Sequence, residues 1–321
     1  MKNFWHQLKK PIIVLAPMAG ITDSPFRILC REQGADVVYT EMTSADGIAY
    51  QSKKTLAMLN FSEQEGPVVL QLFGKNPENF AKALQIIKTL PKSQQPDGLD
   101  LNFGCPAKKV TRHGGGVTLM RNLPHCREII KAVCKHSLWP VSVKIRSSIN
   151  SLDKKFKITA LDFIKSIKQL PITTIMIHAR PFENPWQASI DYEMIKQCKN
   201  IFPGLIIANG GIDTPEKAKE MLEKTQADGL GLARGLYGKP WLFKQIKDYL
   251  KTGKYQELSW PRIKKIALEH AKLNYKYKGD HGIIELRKHL CFYTRGLPNA
   301  SELRRDLVRV KTIKEINNSL K

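Results

Sequence analysis

The 321-residue sequence contains no uncharged apolar run of about 18 residues, the length a helix needs to cross a bilayer. Its opening stretch, MKNFWHQLKKPIIVLAP, has neither the long apolar segment nor the small-residue cleavage site of a secretory signal. A cytoplasmic protein with no membrane partner is expected. The six cysteines (Cys30, Cys105, Cys126, Cys134, Cys198, Cys291) form no CxxC pair and have no histidines beside them at zinc-binding spacing. Neither a disulfide framework nor a structural metal site is indicated, and no metal is expected. Most of these cysteines read as reduced, buried small hydrophobes. Acidic residues are scarce: 29 stand against 52 lysines and arginines, a formal net charge of +23. Solubility does not require so large an excess, and a polyanionic partner such as nucleic acid would explain it. A lysine-rich compositional bias is the other reading of the same numbers. Low-complexity segments and long internal repeats are also missing.

The sequence does contain eight short apolar runs separated by helical stretches: IIVLAP (12–17), VVYTEM (37–42), VVLQLFG (68–74), LDLNFG (99–104), VSVKIR (141–146), TIMIHAR (174–180), LIIANGG (205–211) and LGLARG (230–235). Runs this short and rich in β-branched residues are strands buried on both faces. Segments such as NPENFAKALQIIKTL and TPEKAKEMLEKT are the crossover helices between them. Eight βα units fit a TIM (β/α)8 barrel better than a doubly wound sheet. After about residue 249 no strand pattern returns, and 261–277, 282–294 and 300–318 carry helical periodicity with dense Lys and Arg. The expected organisation is a barrel over 1–248 followed by a smaller, basic, all-helical domain over 249–321.

A barrel of this kind builds its active site at the C-terminal ends of its strands. Those ends are polar here: Gln71, Asn102, Lys144, Arg146, His178, Arg180 and Asn209. One such residue is commonly a turn former, but side chains from five or more strands converge on one mouth. An inward-pointing Lys144 is costly unless it meets an anion or a strong acceptor. The turns in ANGGIDTPEKAKEM and GLARGLYGKPWLF follow strands seven and eight and precede helical segments, which makes Gly210, Gly211, Arg234 and Gly235 candidates for a phosphate site. In APMAGITDSPFR, small residues near Ala19 and Gly20 leave room for a flat ring, ahead of a helix capped by Asp23 or Ser24. Cys105 follows the fourth strand, with Pro106 turning the chain toward the glycines of GGGVTLM. With an ordinary thiol pKa of about 8.5 it is protonated near neutrality and can donate a proton, but on these residues alone an inert buried cysteine fits equally well.

Taken in order, these motifs resemble the tRNA-dihydrouridine synthase family. The segments that carry the resemblance are APMAGITDSPFR, QLFG, DLNFGCPAKKV with GGGVTLM, VKIR, HAR, ANGGI, LARGLYGKPWLF and, in the tail, RKHLCFYTRGLP. It implies an FMN-dependent enzyme that uses NADPH to reduce uridines in tRNA to 5,6-dihydrouridine, with Cys105 as the general acid. It further implies that Pro17, Met18 and Ala19 line the flavin ring and that Gln71, Lys144 and His178 contact it. The ribityl phosphate would be held by Asn209, Gly210, Gly211, Ala233 and Arg234. Candidates for tRNA contact are Asn102, Lys108, Lys109, Arg146, Arg180, Arg287 and Lys288, in a protein expected to act as a monomer. Several positions depart from the family's commoner pattern: HAR stands for HGR, Pro181 for a threonine, and Ala233 for a glycine, while KIRSS lacks the glycine often found after the arginine. Two rivals are a flavin barrel acting on a free pyrimidine, as in a dihydroorotate dehydrogenase-like enzyme, and a non-catalytic RNA-binding protein.

Overall fold

A computed structural model describes residues 3–185 and 187–320. Each of the eight apolar runs contains a parallel strand: β1 (Ile12–Leu15), β2 (Val37–Tyr39), β3 (Val68–Phe73), β4 (Gly98–Asn102), β5 (Val141–Arg146), β6 (Thr174–His178), β7 (Leu205–Asn209) and β8 (Gly229–Leu232). Neighbours pair in chain order and β8 closes onto β1, so the sheet is a complete barrel. Most strands stop short of their run, because the chain leaves the ladder at the polar or turn-forming residue that ends it. Two additions escaped the sequence pattern. One is a two-residue strand, Thr43–Ser44, beside β3; the other is an antiparallel hairpin of Ser148–Asn150 and Lys157–Thr159 after β5.

Successive strand side chains alternate between two environments. One set, including Leu99, Leu101, Val141, Val143 and Ile145, packs outward against the helices in the main core. The other set fills the barrel interior, where Trp5, Ile12, Val14, Val37, Tyr39, Val69, Met176 and Ile207 form an apolar plug. Above that plug the inward positions turn polar: Gln71, Asp100, Asn102, Ser142, Lys144 and Arg146. The barrel is therefore dry at its base and hydrogen-bonding at its mouth.

The helix Ser24–Glu32 after β1 is capped by Asp23, whose side chain accepts from the Phe26 amide at 3.1 Å. The helix after β8, Leu242–Thr252, buries Leu242, Phe243 and Ile246 and ends on left-handed Gly253, a few residues past the expected boundary at 248. In the tail, the two helices expected over 261–277 and 282–294 lie within Trp260–Tyr293 and meet at a kink at Gly279, whose φ 60° and ψ −148° are non-helical and accessible to glycine. The single helix expected over 300–318 is two, Ala300–Leu307 and Ile313–Ser319. Thr312, in extended conformation, starts the second by accepting from the Glu315 amide with its side chain. The tail packs on the first barrel helix: Phe26 meets the rings of His270 and His289, and Lys278 pairs with Asp23 at 2.6 Å. It thus stands beside the mouth.

Candidate active site

Adjacent strands place the polar ends side by side. In register, Gln71 lies beside Asp100, Asp100 beside Ser142 and Asn102 beside Lys144; Arg146 lies beside His178, and His178 beside Asn209. A cavity of about 190 Å³ opens among Pro17, Ala19, Met42, Gln71, Asn102, Cys105, Lys144, Arg146, His178 and Asn209. A second cavity, of about 360 Å³, shares His178 and Asn209 with the first and continues past Arg180, Gly210, Gly211, Ala233, Arg234 and Gly235. Residues from both halves of the sequence therefore border one continuous recess. Met18 stands apart: its partly buried side chain packs on the core, while its backbone amide and carbonyl engage Thr22.

The Cys105 segment is held on several sides. The Asn102 side-chain carbonyl accepts from the amides of Gly104 (3.1 Å) and Cys105 (2.9 Å), Arg146 Nε donates to the Gly104 carbonyl (2.9 Å), and the Val117 amide donates to the Cys105 carbonyl (3.1 Å). Gly116, at φ +62°, lies so close that a β-carbon there would stand 2.6 Å from the Cys105 carbonyl oxygen. Gly116 serves close approach at this point. Burial pushes the Cys105 thiol up, although a backbone hydrogen bond at Ala107 and the charges of Lys144 and Arg146 oppose the shift. The thiol is protonated at neutral pH.

Lys144 Nζ donates to Asn209 Oδ1 at 3.2 Å, and Asn209 Nδ2 donates to the Gly231 carbonyl at 2.7 Å, which orients the amide toward the ammonium. Burial and the neighbouring Arg146 lower Lys144 to about 8, with Asp100 and Cys105 acting against them. His178 is pushed down to about 2, first by burial and then by Lys144, Arg146, Arg180 and Arg234. It is neutral, and because Arg146 Nη1 lies 2.9 Å from its Nδ1 and can only donate, the ring proton sits on Nε2. Nε2 faces Gly210, whose φ of +113° and 3.0 Å approach of a built β-carbon to that nitrogen leave no room for a side chain.

The second recess is rich in cations. Arg180, Arg234, Lys239 and Arg295 border it beside the turns at Gly210, Gly211 and Gly235. Arg180 is steered there by donating to the Ala188 carbonyl at 2.8 Å. Lys239, Arg295, Tyr237 and Met42 were not singled out in the sequence, because no periodicity marks a loop residue that reaches the mouth. The tail brings Lys288 over the rim, with its ammonium 3.8 Å from where a β-carbon on Gly20 would stand. Arg287 turns the other way and donates to the carbonyls of Val310 (2.9 Å) and Arg309 (3.2 Å). Lys108 and Lys109 are exposed on the one-turn helix Lys108–Thr111, directly after the thiol.

A closed barrel with a polar, cationic recess at its C-terminal mouth is a TIM (β/α)8 barrel with its site where such barrels build one. Solved structures of similar fold include an old yellow enzyme homologue from Zymomonas mobilis (TM-score 0.52, 10% identity, covering 78% of this chain and 93% of that one). Another is histamine dehydrogenase from Rhizobium sp. 4-9 (TM-score 0.56, 11% identity, covering 91% of this chain and 51% of that one). More specifically, residues 14–321 match the dihydrouridine synthase (Dus) family, and the chain belongs to it. Among its relatives are tRNA-dihydrouridine synthase B of Pseudomonas aeruginosa, 35% identical over 93% of this chain and 88% of that protein. A probable tRNA-dihydrouridine synthase of Rickettsia bellii is 36% identical over 91% of this chain and 88% of its own length.

Proposed function

We propose that this protein reduces uridines in tRNA to 5,6-dihydrouridine, with FMN in the barrel mouth, NADPH as reductant and Cys105 as proton donor. The observation that carries the proposal is a protonated thiol bordering a recess whose far end is cationic and lined by glycine turns. The donor set fits a flavin mononucleotide. Gly210, Gly211, Ala233 and Arg234 would take the anionic phosphate, and Gln71, Lys144 and the Nε2–H of His178 would meet the polar edge of the ring. Pro17 and Ala19 would border its face, as would Met18 through its backbone. When bound and reduced, the flavin supplies the hydride that goes to uracil C6.

The protein's own residues account for the other half of the reaction. Cys105 gives its proton to C5 of the same base, and the positive charges of Lys144 and Arg146 stabilise the thiolate that remains. Arg146 and Asn102, candidates for tRNA contact by resemblance, would act by holding the thiol segment, and Arg287 by tying down the last two helices. The RNA backbone would meet Lys108, Lys109 and Lys288, with Arg180 at the border of the phosphate recess. A uracil inside folded tRNA must leave its stack to enter the mouth, and the basic tail from about residue 249 would grip the RNA while it does. The protein would act as a monomer in the cytoplasm. Among the described residues no helix is long and apolar enough to cross a membrane.

The test uses purified protein, its flavin spectrum and bulk tRNA from cells lacking dihydrouridine. With NADPH, mass spectrometry should find a two-hydrogen gain on particular uridines. Flavin-loaded protein that oxidises NADPH and leaves every uridine intact would refute the proposal.

A further inference from the structure

Asp100 is fully buried inside the barrel, one residue pair below the thiol segment, and borders neither cavity. Burying an ionised carboxylate there is costly, and burial pushes it up to about 6 in spite of hydrogen bonds from Gln71 and Ser142 and the charge of Lys144. A leucine or valine would suit the interior better on stability grounds. The hydrogen bonds around Asp100 give it another role. Gln71 Nε2 donates to one carboxylate oxygen at 2.7 Å, and Ser142 Oγ donates to the other at 2.7 Å. Gln71 Oε1 in turn accepts from Asn102 Nδ2 at 2.9 Å, and Asn102 Oδ1 accepts from the Gly104 and Cys105 amides.

An ionised carboxylate only accepts, whereas an amide group offers a donor on one side and an acceptor on the other. The anion at one end and the two backbone amides at the other, which can only donate, together set the direction of the chain. Were the Gln71 amide reversed, its NH2 would face the NH2 of Asn102; were Asn102 reversed to suit, its NH2 would face the Gly104 and Cys105 amides, donor against donor. We infer that Asp100 is a positioning residue, fixing through Gln71 and Asn102 the place of the thiol segment above the mouth. Its importance to turnover rests on reading Cys105 as the proton donor, but its grip on the segment does not.

The experiment measures iodoacetamide alkylation of Cys105 in flavin-loaded protein across pH, read from the Cys105 peptide by mass spectrometry. D100L removes the acceptor. D100N keeps it, because Asn Oδ1 can still receive Gln71 while its Nδ2 donates to Ser142 Oγ, whose single proton then turns to the Leu99 carbonyl. The Cys105 alkylation rate should rise about five-fold in D100L, the weight of one neutral hydrogen bond, with its pH midpoint shifted downward as the segment loosens. In D100N both should stay near wild type, a contrast that a general loss of stability would not produce. If D100L does not fold, the smaller D100A removes the same acceptor and carries the same expectation. A folded D100L or D100A with the wild-type rate and midpoint would overturn the inference, as would a D100N profile matching D100L. Failure of the proton-donor reading would look different: an active C105A enzyme, with the alkylation contrast between D100L and D100N intact.

Discussion

Replacing Gly116 by alanine tests how tightly the thiol segment must be held. The added β-carbon would stand 2.6 Å from the Cys105 carbonyl oxygen and 3.0 Å from Val110 Cγ1, while ordinary contact begins at 3.4 Å. The carbonyl must therefore retreat by about 0.8 Å, and a misplacement near 1 Å at a reacting group costs on the order of 100-fold in rate. The φ of +62° adds a further penalty of about 1 kcal/mol for a residue with a β-carbon, which lowers stability without touching the flavin recess. We expect G116A to fold, to bind flavin and to accept electrons from NADPH at the wild-type rate. Its single-turnover reduction of uridine in tRNA should fall by about 30- to 100-fold. The assay follows reoxidation of the reduced flavin by stopped flow after mixing with tRNA, with flavin content measured by absorbance. Reoxidation at the wild-type rate would show that the segment adjusts freely and that close packing at Gly116 does not set the position of the thiol.

Three further outcomes are expected. Cys105→Ala should retain flavin and its reduction by NADPH but lose at least about 100-fold in uridine reduction, measured as dihydrouridine formed per enzyme. The raised thiol pKa also keeps the acid protonated as pH rises, so the alkaline fall in wild-type single-turnover rate should begin above the ordinary thiol value of about 8.5. Asp100→Asn should stabilise the protein at pH 7 by about 1–3 kcal/mol in denaturant unfolding, since the folded state no longer ionises a buried acid. The sign follows from a folded pKa of about 6 against an ordinary carboxyl value of 3.8: wild type loses stability relative to D100N as pH rises between these values, and the difference is constant above them. In salt titrations of tRNA binding, Lys288→Ala should reduce the log–log slope by about one, while Arg287→Ala should leave the slope alone and lower the stability of the last two helices by about 1–3 kcal/mol.

Much of the mouth was legible because strands alternate. Once VSVKIR is read as a buried strand with Val and Ile facing outward, Ser142, Lys144 and Arg146 must point into the barrel, and they do. The same logic applied to LDLNFG brings Asp100 inward with Asn102, yet an acid within an apolar run looks like an imperfection until its partners on β3 and β5 are known. The role of Gly116 is hidden in the sequence for a related reason. Composition equates three glycines with freedom, but only the approach of the Cys105 carbonyl reveals that one of them is required for want of space. Arg287 and Lys288 are adjacent and equally basic, and the helix turns one toward the carbonyls of 309 and 310 and the other toward the mouth.

The sequence by itself determined the eight-stranded barrel, the basic helical tail and the residue types at the strand ends, because periodicity and charge are local and survive without coordinates. Only the tertiary structure decided which of those residues act on a bound molecule and which act on each other. The direction of a hydrogen bond and the tautomer of His178 depend on partners distant in sequence that the closing of the barrel brings within 3 Å, and the crowding at Gly116 depends on how the loop folds back onto Cys105.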